Sequence, residues 1–113
     1  MTEIVIFVLD TTTGRPAAGV PVELQSAETA GGWTTLAAGV TDESGCIPGL
    51  ARDIQALPAG RYRLRYDTTT YFAARDVKSI YPEIVVNLTL GNHRRYVVPL
   101  LLSPFGYTTY RGS

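Results

Sequence analysis

Arg95-Tyr-Val-Val-Pro-Leu-Leu-Leu-Ser-Pro-Phe-Gly-Tyr-Thr-Thr-Tyr-Arg-Gly-Ser113 is the stretch whose reading decides the fold. Tyr96 to Leu102 is an apolar run with β-branched residues and one proline. It is too short for a helix of ordinary length and reads as a strand. Ser103-Pro104-Phe105-Gly106 is a turn, in which proline presets φ and glycine supplies freedom where a Cβ would clash. Tyr107 to Tyr110, aromatic and threonine-rich, suits a second short strand on a pleated surface. The closing Tyr110-Arg-Gly-Ser113 is expected to be tied down with that strand.

Working outward, further strand signals recur along the chain. Ile4 to Leu9 is strand-like and apolar on both faces, so both faces should meet protein. Thr11 to Pro16 reads as a loop. Val20, Val22 and Leu24 alternate with Pro21, Glu23 and Gln25 as a half-buried strand, and Pro21 on its outward face suggests an edge or a bulge. Ala30-Gly-Gly32 breaks the chain before a third strand, Trp33 to Val40. Asp42 to Gly45 is a turn and Cys46 to Leu50 a short strand. Tyr62, Leu64 and Tyr66 face the core, while Arg61, Arg63 and Arg65 form a solvated stripe. Thr69 to Arg75 is the one plausible helix, capped by a threonine at Thr68 or Thr69. Glu83 to Leu90 is a further strand, with Ile84, Val86, Leu88 and Leu90 on one side, and Gly91-Asn92 turns the chain into the C-terminal pair. Seven to eight short strands and one short helix predict an all-β fold, a two-sheet β-sandwich.

At 113 residues the chain suits one domain, residues 1–113, with a single core. Ten basic and ten acidic side chains give zero formal net charge. That balance offers no pull toward nucleic acid or a membrane surface. The single cysteine, Cys46, excludes an internal disulfide and gives no reason to place the chain in an oxidising compartment. The apolar run Ile4 to Leu9 has no basic region before it and is followed by Asp10, unlike a signal peptide or a membrane span. The expectation is a soluble cytoplasmic protein.

Pro99-Leu-Leu-Leu-Ser-Pro-Phe-Gly-Tyr-Thr-Thr-Tyr-Arg-Gly-Ser113 closely resembles the C-terminal signature of the 5-hydroxyisourate hydrolases, transthyretin-like enzymes of purine catabolism. The ending Tyr-Arg-Gly-Ser is the mark that separates those enzymes from transthyretin. Asp67-Thr-Thr-Thr-Tyr-Phe72, followed by Ile80-Tyr-Pro-Glu83, matches the family's helix and the strand entry after it. The resemblance implies a transthyretin-like sandwich of two four-stranded sheets, with a short helix after the fifth strand. It also implies a homotetramer, a dimer of dimers, with a small-molecule channel between the dimers.

The resemblance also locates the chemistry. The enzymes open with His-Val-Leu-Asp where this chain has Phe7-Val-Leu-Asp10, and carry Gly-Arg where it has Gly45-Cys46. They have His-Tyr-His-Val-Pro-Leu where it has Arg95-Tyr-Val-Val-Pro-Leu100. The two histidines and the arginine form the family's catalytic group, so the matching positions here are Phe7, Cys46 and Val97. One positioned acid–base group contributes roughly 10²–10⁴-fold and one electrostatic stabiliser roughly 10²–10³-fold. Losing all three should remove most of the acceleration. His93, the only histidine, lies four residues from Val97, ~13 Å along a strand, too far to replace an imidazole. Cys46 reads as a small buried hydrophobe, because no matched position offers a base to form its thiolate.

Compared with transthyretin, the channel-lining positions are Phe7 and Leu9, then Val97, Pro99 and Leu101, then Thr108 and Tyr110. Within each strand their parity is consistent with one shared concave face. The candidate chemical residues are Arg111, a fixed cation, with Tyr110, Thr108 and Arg95. Candidate contact residues are Phe7, Leu9, Cys46, Val97, Pro99, Leu101, Ser103 and Ser113. No metal and no cofactor is expected. The leading expectation is a diverged enzyme on the hydroxyisourate hydrolase scaffold that opens or closes the ring of another small cyclic molecule, working by positioning. The alternatives are a non-catalytic transthyretin-like binder and a residual hydroxyisourate hydrolase.

Overall fold

A computed structural model describes residues 2–50 and 57–112. Eight strands and one helix follow in the order β1 (Glu3–Asp10), β2 (Arg15–Pro16), β3 (Pro21–Ala27), β4 (Trp33–Val40), β5 (Gly60–Tyr66), α1 (Thr68–Ala73), β6 (Ile84–Leu90), β7 (Arg95–Ser103) and β8 (Gly106–Thr109). They form two four-stranded sheets, ordered β2-β1-β7-β8 and β4-β3-β5-β6. The helix follows the fifth strand.

Alternation builds the core between them. Ile4, Ile6 and Val8 of β1 and Tyr96, Val98, Leu100 and Leu102 of β7 point inward from the first sheet. Val22, Leu24, Tyr62, Leu64, Tyr66, Ile84, Val86 and Leu90 meet them from the second. Each fully buried aliphatic side chain contributes about 1.5–3 kcal/mol through removal from water. As expected from the sequence, Tyr62, Leu64 and Tyr66 are buried; of the arginine stripe Arg61 is exposed, whereas Arg63 and Arg65 are half-buried. Among the described residues Tyr66 Oη has no hydrogen-bond partner, and burial pushes its pKa upward.

Four local expectations are corrected. Cys46 to Leu50 is not a strand. The Asp42 carboxylate accepts the N–H groups of Ser44 (2.9 Å) and Cys46 (3.1 Å), a local side-chain alternative to a ladder. Gly45, at φ 78°, offers its carbonyl to Val8 N–H at 2.9 Å. A Cβ at Gly45 would lie 2.4 Å from Val8 O, so glycine is required there. The eighth strand is instead Arg15–Pro16, inside the predicted loop and paired to Leu9 and Asp10. Pro21 is at neither an edge nor a bulge: it is the first residue of the interior strand β3, a position open to proline. The bulge in β3–β4 falls at Leu24/Gln25.

The helix cap is the fourth correction. Asp67, not a threonine, caps α1, accepting Thr70 N–H at 3.0 Å and the Thr70 hydroxyl at 2.6 Å. These bonds hold the Asp67 carboxyl below the usual carboxylate range. Thr68 is buried and donates to Tyr81 O at 2.6 Å. Tyr71 and Phe72 carry the helix onto the core, and Tyr71 Oη donates to Asp10 Oδ2 at 2.7 Å. Asp10 Oδ1 accepts Thr12 N–H at 2.9 Å. Burial, reinforced by the Asp10 hydrogen bond, pushes Tyr71 up to about 12.

Candidate small-molecule face

β1 and β7 run parallel, pairing Val5 with Val97, Phe7 with Pro99 and Leu9 with Leu101, while β8 sets Thr108 opposite Leu101. Directly paired residues share a sheet face, so these side chains form one strip on the side of the first sheet turned away from the core. Val5, Phe7, Leu9, Val97 and Leu101 are half-buried, Pro99 is buried and Thr108 is exposed. Pro99 sits in an interior strand without an N–H to give, and its carbonyl accepts the Thr109 hydroxyl at 2.8 Å. Six of the expected site residues are therefore brought together: Phe7, Leu9, Val97, Pro99, Leu101 and Thr108. Val5 belongs with them and was missed, although stepping back two residues from Phe7 reaches it.

The C-terminal segment continues past β8. Gly112 N–H donates to Val97 O at 2.7 Å, so the antiparallel pairing of Leu100 with Thr109 extends to Val97 with Gly112. A Cβ on Gly112 would meet Val97 Cγ1 at 3.1 Å. This alternation leaves Tyr110, 54% exposed, in register with Pro99 and turns Arg111 to the other side. There the Arg111 guanidinium lies over the Tyr96 ring, 4.6 Å from its centroid, and donates to Arg95 O at 3.4 Å. It borders a groove of about 300 Å³ lined by Leu88, Val98, Thr109 and Tyr110, to which Phe7, Leu9, Val97, Pro99 and Leu101 of the strip do not contribute. The structure thus separates Arg111 from Phe7, Val97 and Thr108. Ser113 lies outside the described residues.

The remaining candidates sit at the margins. Cys46 is half-buried beside β1, carried there by the Gly45–Val8 hydrogen bond, with Sγ 3.6 Å from Ser44 O. Ser103 Oγ donates to Gly106 O at 3.0 Å and closes the β7–β8 turn. Arg95 opens β7 opposite Glu3, with Nε 3.5 Å from Glu3 Oε1. His93 precedes β7 and meets Tyr96 edge-on, with ring centroids 5.6 Å apart. From Val5 to Leu101 the strip carries no acid, base or cation. Among the described residues no group of three or more His, Cys, Asp or Glu side chains is placed to hold a metal ion, and no helix is long and apolar enough to cross a membrane.

The arrangement of sheets, helix and C-terminal segment is shared with known proteins. The model of the HIUase/transthyretin family matches residues 4–112. The chain belongs to that family. It is 42% identical to the 5-hydroxyisourate hydrolase of Salmonella typhimurium over 109 residues, covering 96% of this chain and 79% of that one. It is likewise 42% identical to the mouse 5-hydroxyisourate hydrolase over 108 residues, covering 94% and 91%. Among solved structures, Klebsiella pneumoniae 5-hydroxyisourate hydrolase superposes with a TM-score of 0.85 at 35% identity, covering 100% of this chain and 94% of that one. Sea bream transthyretin in complex with thyroxine gives a TM-score of 0.89 at 36% identity, covering 96% and 92%. The fold expected of a family member, a transthyretin-like all-β sandwich of eight strands with one short helix, is the fold observed.

Proposed function

We propose that this protein is a diverged member of the HIUase/transthyretin family that acts on a small cyclic or heterocyclic molecule other than hydroxyisourate, by ring opening or ring closure. The observation that carries this reading is the strip itself. Where the family resemblance implies two histidines and an arginine, the chain has Phe7, Val97 and Cys46, and Phe7 and Val97 stand in the middle of an apolar face. Neither phenylalanine nor valine accepts a proton or orients a water. What the face offers is confinement of a flat molecule, with the Thr108 and Tyr110 hydroxyls along the β8 edge to orient polar atoms. Confinement in a reactive geometry is itself a source of rate. In this reading two dimers bring their strips together in a cytoplasmic homotetramer, and the pocket forms between them. Arg111 takes a positioning role, holding the C-terminal segment against Tyr96.

A second reading, a non-catalytic small-molecule binder, is favoured by the composition of the strip and by the likeness to a transthyretin that holds thyroxine. It differs in predicting saturable binding without product. The deciding experiment follows hydroxyisourate disappearance with the purified protein, with the Phe7→His/Val97→His double variant, and without protein. The expected result is a wild-type rate near the uncatalysed decay and a higher rate in the double variant. A wild-type rate far above the uncatalysed decay would return the protein to purine catabolism as a hydroxyisourate hydrolase and overturn the diverged-substrate reading.

A further inference from the structure

Resting on the reading of the strip as a ligand pocket, the geometry points to Arg95 as the residue that sets ligand class: a ring system carrying one carboxylate. The parallel register puts Glu3 and Arg95 side by side at the start of β1 and β7, one step of the alternation before Val5 and Val97. On the described outer face of β1 (residues 3, 5, 7 and 9), β7 (95, 97, 99 and 101) and β8 (108), these two are the only charged side chains. They stand at its solvent end, with the Arg95 side chain 58% and the Glu3 side chain 65% exposed. A molecule lying on Val97 and Pro99 therefore meets charge at one place, ~7 Å along β7 from Val97.

The Glu3–Arg95 pair meets through Nε and Oε1 at 3.5 Å. An exposed ion pair at that distance holds its partners weakly, whereas a guanidinium has five N–H donors in a rigid fork that matches a carboxylate bidentately. The backbone behind Arg95 is held on two sides. Glu3 N–H donates to Arg94 O at 2.9 Å, and Arg111 reaches Arg95 O from the far face of the sheet. The fork is thus carried on a fixed strand end, which favours directional recognition over a mobile point charge. Glu3 competes for the same fork and excludes anions too weak to displace it.

The test compares 2-naphthoate with its neutral analogue 2-naphthamide by calorimetric titration of the full-length protein. Wild type should bind the carboxylate at least tenfold more tightly than the amide. Arg95→Gln should remove that preference while leaving the amide affinity unchanged, Arg95→Lys should keep part of it, and Glu3→Gln should tighten the carboxylate by severalfold. Equal affinity of wild type for both probes, or a preference that survives Arg95→Gln, would overturn the assignment to Arg95 and leave the pocket reading standing. Failure of wild type to bind either probe would overturn both.

Discussion

The outer face of the first sheet presents Val5, Phe7, Leu9, Val97, Pro99 and Leu101, and that of the second presents Glu23, Gln25, Trp33, Thr35, Arg63 and Arg65. The second face is knitted together. Arg65 reaches Glu83 at 2.8 Å and Glu23 at 3.4 Å. Gln25 bridges Glu23, Thr35 and Arg63, and the Arg63 guanidinium lies 4.4 Å from the Trp33 ring centroid. The same alternation made both faces, and the same core lies behind them. The difference lies in what each is finished for. A network of partly exposed charges can stay in water at little cost, whereas a continuous apolar strip marks a surface awaiting a partner or a ligand.

The largest expected effect comes from making the first face resemble the second. Phe7→Asp places an unpaired carboxylate in the strip, and if that face is covered by another copy the cost is roughly 3–5 kcal/mol. Light scattering coupled to size-exclusion chromatography should then find a smaller species than wild type. An unchanged mass would mean that the strip is not an assembly surface.

The core shared by the two faces gives the next effects. Tyr71→Phe leaves the buried Asp10 carboxylate short of one donor, costing about 1–3 kcal/mol in urea unfolding. It should also change the alkaline response. Burial, and after it the Asp10 hydrogen bond, push Tyr71 up from the ordinary tyrosine value of 10.0 to about 12. Its contribution is therefore complete below pH 10 and is lost as pH rises from there to about 12. Wild type should lose stability over that interval, and Tyr71→Phe should lose less. Tyr66→Phe acts in the opposite direction, removing a buried hydroxyl that lacks a partner and raising stability by about 1 kcal/mol. A loss of stability would show that this hydroxyl has a partner beyond the described residues. Smallest of all, Arg65→Ala on the polar face should change stability by less than about 1 kcal/mol and leave the molecular mass untouched. A large change there would erase the contrast between the faces.

Much of this was legible before any coordinates. Period-two alternation located β3, β5 and β6, because which residues face inward is a local property of a pleated chain, while β1, β4 and both C-terminal strands were read from short apolar, β-branched or aromatic runs bounded by turns. Arg111 is instructive: residues 108 and 110 already share a parity that 111 does not, so its separation from the strip was available in the alternation. Other features were hidden for physical reasons. Arg15–Pro16 is too short to carry a period, and it is a strand only because β1 lies beside it. Cys46 to Leu50 looked extended until the Asp42 carboxylate and the Gly45 carbonyl took its place in the hydrogen-bond accounting. Asp67 and Thr68 are both good caps in isolation. Thr68 is drawn into the core by Tyr81 O, leaving the cap to Asp67.

By itself the sequence determined the longer strands, the turn at Ser103 to Gly106, the family signature and the identities Phe7, Cys46 and Val97 at the positions where the resemblance implies catalytic side chains. Each of these rests on residue identity and short-range spacing. Only the tertiary structure decided that β1 and β7, from opposite ends of the chain, lie parallel with Val5 beside Val97 and Glu3 beside Arg95. It also decided that Arg111 stacks on Tyr96. Strand register is set by packing a whole face against a core, and no local stretch contains that information.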